Sequence, residues 1–163
     1  MQKQLLAIAP IDLPRFWPEI RDEVASIEIP DGFITEDVYG MCRQNAATLF
    51  FIMVDGKRVG WLVCRLSLPD LHIWMLHAEN GYDVMTQFRE ELMTLARGAQ
   101  AKMLTYGSQR AAWSKVAHKH GFQMRMVVYQ CPVDDLPQEQ KPNLSIVPPA
   151  DEVGADADKH VTH

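Results

Sequence analysis

Cysteine is scarce in this chain, and its few copies are not spaced to act together. Cys42, Cys64 and Cys131 are all there are, an odd number with no C-x-x-C pair, each set among apolar neighbours. That pattern excludes a disulfide framework and a thiolate zinc knot, and predicts reduced core thiols in a reducing, cytoplasmic compartment. Long apolar runs are missing too. The longest, Thr48 to Val54, has the length of a strand and falls far short of the ~18 residues of a membrane span. Met1 to Ala7 lacks the apolar core of a secretion signal. Positive charge is in deficit: 16 Lys and Arg against 21 Asp and Glu leave a net −5. Nucleic acids and acidic membranes select basic surfaces, so neither is an expected partner. No G-x-S-x-G, Walker or HExxH motif occurs. His118 and His120 stand two apart on an expected helix and point in different directions, so no metal site is expected.

What remains is an ordinary globular composition, 47% apolar and 23% charged over 163 residues, enough for one domain with a core. Leu5, Leu6 and Ile8 read as a first strand. Pro14 suits a first helical turn, and Phe16, Ile20, Val24 and Ile27 then recur at helical spacing. Ile29-Pro30-Asp31-Gly32 ends that helix. Thr35 is the expected N-cap of a second helix burying Val38, Met41 and Cys42.

The period then changes from that of a helix to that of a strand. Leu49 to Val54 is a continuous apolar strand, and Asp55-Gly56 supplies the positive φ of a tight hairpin. Val59 to Leu66 returns, with Val59, Trp61 and Val63 expected on one face. Pro69-Asp70 marks another turn before a third strand, Leu71 to Ala78. Helical spacing resumes at Met85, Phe88, Leu92, Leu95, Ala96 and Ala99. A short strand at Met103–Tyr106, a helix carrying Trp113, Val116 and Ala117, a C′ glycine at Gly121 and a last strand from Phe122 to Tyr129 complete the domain. This order predicts a mixed, mostly antiparallel sheet of about six to seven strands with about four helices, an α/β (α+β) fold.

Residues 1–133 form the expected domain, and 134–163 an acidic, proline-rich tail. Half of the ten prolines lie from Pro132 onward, among Asp134, Asp135, Glu139, Asp151 and other acids. Such a composition cannot bury enough apolar surface to offset its ordering entropy. The island Leu144-Ser145-Ile146-Val147 interrupts it. Asn143 to Val147 is read as an extended segment that docks on a protein partner or a second copy.

The order of elements, together with Gly121-Phe122 after an amphipathic helix, resembles the GNAT (Gcn5-related N-acetyltransferase) superfamily over about Leu5 to Val133. The resemblance implies acetyl-CoA as cofactor, held by backbone N–H groups of a Gln/Arg-x-x-Gly-x-Gly/Ala loop where the long helix begins. It also implies a backbone amide, at a bulge in the third meander strand, that polarises the acyl carbonyl. Here the loop is Glu79-Asn80-Gly81-Tyr82-Asp83-Val84, with one glycine, a bulky Tyr82 and two anions. Asn80 and Gly81 are the cofactor-binding residues it retains, and Arg110 stands where the family has an Asn for the pantetheine arm. Ala117 replaces the usual general-acid Tyr. The candidate catalytic residues for an active protein are His77 and Glu79 as base and Tyr106 as acid.

These departures favour a non-catalytic scaffold or interaction protein with no cofactor, similar to small degenerate phage-encoded and virion-associated proteins of this look. The alternative is acetyl-CoA-dependent N-acylation of an amine. His118 and Lys119, with Arg110 and Lys115, form a basic patch read as a solvated face.

Overall fold

The computed structural model describes residues 1–27, 32–108, 115–127 and 129. Strand β1 (Lys3–Ala7) is followed by helices α1 (Leu13–Ala25) and α2 (Thr35–Arg43). The meander β2 (Thr48–Val54), β3 (Lys57–Ser67) and β4 (Asp70–Ala78) comes next. Helices α3 (Val84–Gln87) and α4 (Arg89–Gly98) then lead to β5 (Met103–Tyr106) and a 3₁₀ turn at Ala117–His120.

Helix α1 begins with Pro14 in its first turn, where no donor is needed, and runs through Pro18. Its buried stripe is Leu13, Trp17, Ile20 and Val24, which keeps Ile20 and Val24 of the expected one and replaces its two ends. Phe16 instead meets the Phe51 ring edge-on at 5.4 Å, and Ile27 lies beyond the helix. Helix α2 starts one residue earlier than read: Ile34 is its N-cap, and Asp37 accepts the Ile34 N–H at 3.0 Å. Asp55 (φ 49°) and Gly56 (φ 79°) make the β2–β3 hairpin turn, as the Asp-Gly pair requires.

The sheet holds five strands among the described residues, in the order β1-β2-β3-β4-β5, antiparallel except for the parallel β4–β5 pair. That is fewer than six or seven. Phe122 to Val127 forms no ladder, and Met124 and Met126 are largely exposed. Alternation of side chains assigns faces, but a strand also needs a neighbouring edge to pair with.

Two bulges reset the faces. Ile52 pairs with Gly60 and Met53 with Arg58, so Val59 is an extra residue in β3. It joins Leu62 and Cys64 in the core beneath α4, which Trp61 and Val63 do not enter. In β4, Met75 pairs with Val63 and Ile73 with Cys64, so Trp74 is extra.

The single helix expected over Met85–Ala99 is bent at Phe88 (φ −109°, ψ 18°) into α3 and α4. The ladder carries across the bend, with Phe88 N–H on Val84 O and Leu92 N–H on Phe88 O, both at 2.9 Å. Phe88 itself is fully buried with Val84, Met85, Leu92 and Ala96 against β2, β3 and β4. Gly121 (φ 81°) closes the 3₁₀ turn, and Phe122 N–H returns to Ala117 O at 3.0 Å.

The chain divides into two compact units. Met1–Glu28 with Phe33–Gln123 carries all these elements, and Ile29–Gly32 with Met124–His163 forms the other. Among the described residues no helix is long and apolar enough to cross a membrane. Asn143 to Val147, Trp113, Arg110 and Cys131 lie outside the described residues.

Gly60 packs directly on β4: a Cβ there would meet His77 O at 2.4 Å and Ala78 Cα at 2.9 Å, both backbone. Gly60→Ala should cost about 1–3 kcal/mol through overpacking. Gly98→Ala, in open space at the end of α4, should be neutral or stabilising by up to about 1 kcal/mol. Urea denaturation of the two variants checks this, and equal midpoints would refute the close packing at Gly60.

Candidate functional site

The site grows from the contact between β4 and β5. These strands pair through Asp70–Met103, Leu71–Leu104, His72–Thr105 and Ile73–Tyr106, and then stop. The bulge residue Trp74 follows at once, and β5 ends at Tyr106. Past that point the two strands part, and the rest of β4, Met75 to Ala78, has β3 on one side and no ladder on the other among the described residues. The Trp74 ring is held by Arg65, 5.0 Å from its centre, and by an edge contact with Phe33 at 5.2 Å. Its Nε1–H is buried without a hydrogen-bond partner.

His77 lies beyond the bulge. Its ring stacks on Trp61 (5.8 Å between centres, 17° between planes). Its Nε2 is 3.9 Å from Glu23 Oε1, while Glu23 Oε2 accepts the Trp61 indole N–H at 2.6 Å. Arg58 sits 3.9 Å from both Glu23 and Glu19. Glu23 therefore fixes a fully buried Trp61 and faces a half-buried His77. Nothing local in the sequence marks Glu23, because its partners Arg58, Trp61 and His77 are 35 residues or more away.

The other sequence candidates are not gathered here. Glu79 is exposed and pairs with Lys57 at 3.3 Å, on the hairpin side of β4. Tyr106 meets Phe122 edge-on at 4.8 Å and packs against the core beneath α4, whereas His77 faces α1. Burial raises the Tyr106 phenol above its ordinary pKa. His77 and Tyr106 thus sit on opposite faces of the sheet.

Asn80 and Gly81 form a turn, Gly81 at φ 96°. Asp83 then caps α3 with its own carboxylate: Oδ1 accepts the Thr86 N–H at 3.3 Å and Oδ2 the Thr86 hydroxyl at 2.7 Å. The Gln87 N–H goes to Asp83 O at 2.8 Å. Beside this lies a shallow hollow of about 330 Å³ bordered by Thr86, Arg89, His118, Lys119 and His120. Thr86 Oγ1 is 2.9 Å from His120 Nδ1, and Arg89 donates to His120 O. The described residues contain no cluster of three or more His, Cys, Asp or Glu suited to a metal.

Known proteins share this architecture. A ribosomal-protein-alanine N-acetyltransferase from Brucella melitensis biovar Abortus 2308 is 13% identical, with a TM-score of 0.58 over 82% of this chain and 100% of its own. The aminoglycoside N-acetyltransferase AAC(6')-Iy is 12% identical, at 0.55 over 82% and 100%. An aminoglycoside acetyltransferase from an uncultured soil metagenomic sample is 15% identical, at 0.54 over 81% and 97%. No protein-family model and no curated protein matches the chain. The chain has the GNAT acetyltransferase fold.

That fold implies acetyl-CoA, and the helix start does not fit its diphosphate. A diphosphate needs free N–H donors, and of those at this helix start the Asp83 carboxylate takes that of Thr86, at 3.3 Å. Asp83 also puts an anion at the start of α3, beside those donors. Helix α3, one turn of four residues, supplies little macrodipole to offset it.

Glu23→Leu should cost about 1–3 kcal/mol, because it leaves the buried Trp61 N–H unpaired. Glu23→Gln keeps an acceptor and should lose much less; equal losses in chemical denaturation would contradict this role.

Burial also raises the thiol of Cys42 to about 11 and that of Cys64 to about 12. Both should resist thiol reagents in the native protein at pH 8. Raised folded values mean that their contribution to stability is full below the unfolded thiol pKa (about 8.5) and declines as pH rises towards the folded values. Between pH 8 and pH 10, Cys64→Ala should lose less stability than the parent chain. A parallel fall in the two proteins would overturn the assignment.

Proposed function

We propose that this chain uses the acyltransferase fold as a protein-binding module, without acetyl-CoA. The observation that carries the reading is the Asp83 carboxylate on Thr86, which puts the chain's own anion at the helix start where the family is expected to bind a diphosphate. Two further features support it. Tyr106 is committed to packing on Phe122, and Ala117 has no proton to give a leaving thiolate. The segment Asn143 to Val147, outside the described residues, is the proposed contact with a protein partner or a second copy. A virion-associated role of the kind its sequence resembles suits such a module.

Acetyl transfer to an amine is the second reading. It is favoured by the bulge at Trp74, by His77 beside Glu23, and by His118 and Lys119 bordering the hollow.

Thermal denaturation separates the two. A ligand at a hundredfold its Kd adds about 2.7 kcal/mol, which for a chain of this size raises Tm by about 5–11 °C. Millimolar acetyl-CoA should leave Tm unchanged. A rise of several degrees would refute the module reading, and His77→Ala should then lower turnover. Asp83→Ala should lose a helix cap worth about 0.5–2 kcal/mol and gain measurable affinity for CoA. A chain ending at Val133 should keep its fold and lose its assembly with partner or second copy. Unchanged sedimentation and pull-down behaviour would remove the segment from the account.

A further inference from the structure

We infer that Asn80 is a self-modifying residue, converted without any enzyme to aspartate and isoaspartate by attack of the Gly81 backbone nitrogen. This goes beyond the module reading and does not depend on it, because the reaction needs only water. Asn80 and Gly81 are both exposed, and Tyr82 N–H closes their turn on Glu79 O at 3.3 Å. Gly81 stands third in that turn at φ 96°, which makes it type II, the form that requires glycine there. Within the turn nothing holds the linking peptide. Neither the Asn80 side chain, nor the Asn80 carbonyl, nor the Gly81 N–H has a hydrogen bond among the described residues. Nothing lies within 4 Å of where a Gly81 side chain would start. Glycine accepts either sign of φ, so the Asn80–Gly81 peptide can turn over and bring its nitrogen to the Asn80 side-chain carbon.

The step balances with water alone. The Gly81 nitrogen gives up its proton and bonds to Asn80 Cγ. The Cγ–Nδ2 bond breaks, and Nδ2 leaves with that proton as ammonia. Water then opens the resulting five-membered imide at either of its two carbonyls. One opening gives aspartate at position 80. The other gives isoaspartate, in which the main chain runs through the former side chain and is one methylene longer. No oxidant or reductant takes part. Either product sets a new carboxylate between those of Glu79 and Asp83, just ahead of α3.

Two other turns lack what Asn80 has. Asn45 is exposed too, at φ 60°, but the nitrogen that would attack it belongs to Ala46 and already donates to Met41 O at 2.9 Å. A bonded N–H must surrender that bond before it can react, and the alanine side chain crowds the approach. Asp55 is followed by glycine, but its side chain is a carboxylate, a poor target for a nucleophile, and its Oδ1 is held by the Gln2 N–H at 2.7 Å. Of the asparagines among the described residues, only Asn80 precedes a glycine.

The test holds the full-length chain in oxygen-18 water at pH 8 and at pH 6, and maps amide-to-acid conversion by peptide mass spectrometry. Conversion at Asn80 should exceed that at Asn45 at least tenfold and carry one heavy oxygen. It should run faster at pH 8, because the Gly81 nitrogen must lose its proton. Fragmentation that distinguishes the two backbones should find both aspartate and isoaspartate at that position. Asn80→Gln, which would have to close a six-membered ring, should stay an amide.

No conversion at Asn80, equal conversion at Asn45, aspartate without isoaspartate, or the same conversion in Asn80→Gln would overturn the inference. None of these outcomes bears on acetyl-CoA, whose binding tests the module reading alone.

Discussion

Pairing between Asp70–Ile73 of β4 and Met103–Tyr106 of β5 is the contact on which the rest of this structure turns. It ends where β4 carries one residue too many, at Trp74. The bulge lies in the β3–β4 ladder and bends β4 just where β5 ends at Tyr106. Beyond it, among the described residues, β4 pairs only with β3, and His77 and Tyr106 lie on opposite faces of the sheet. Gly60 is a matching constraint on the opposite side of β4, because only a residue without Cβ lets β3 approach that closely.

The two faces of the sheet then acquire different roles. Beneath α4 the contacts are apolar, with Phe88, Leu92, Leu62 and Ile52 almost or fully buried. The α1 face has an equally buried Trp61, but its indole N–H needs an acceptor, and Glu23 supplies one. The same carboxylate faces His77. Glu23 thus joins the core residue Trp61 to Arg58 and His77, and the buried indole alone explains its position.

Much of the fold was legible in the sequence because its signals are local. Asp55-Gly56 named the hairpin, the apolar run from Leu49 named β2, and the spacing of Met85, Phe88, Leu92 and Ala96 named the helical face. What failed depended on partners far along the chain. The bulges at Val59 and Trp74 arise from register between strands, so Val59 was assigned to the wrong face, and a bulge in the third meander strand was implied by the family resemblance without a residue to carry it. Phe122 to Val127 has a strand's alternation without a ladder. At the site, Asp83 was readable as a carboxylate that favours a helix start, and it caps α3. Glu23 was invisible, since its meaning comes from Trp61 and His77 on other strands.

The central claim is that an acyltransferase fold here has closed its diphosphate position with Asp83. Amide NMR of the full-length chain with millimolar acetyl-CoA tests it most directly. The account predicts unmoved signals for Thr86, Gln87 and Trp74. Saturating shifts at those three amides, with a micromolar midpoint, would contradict it.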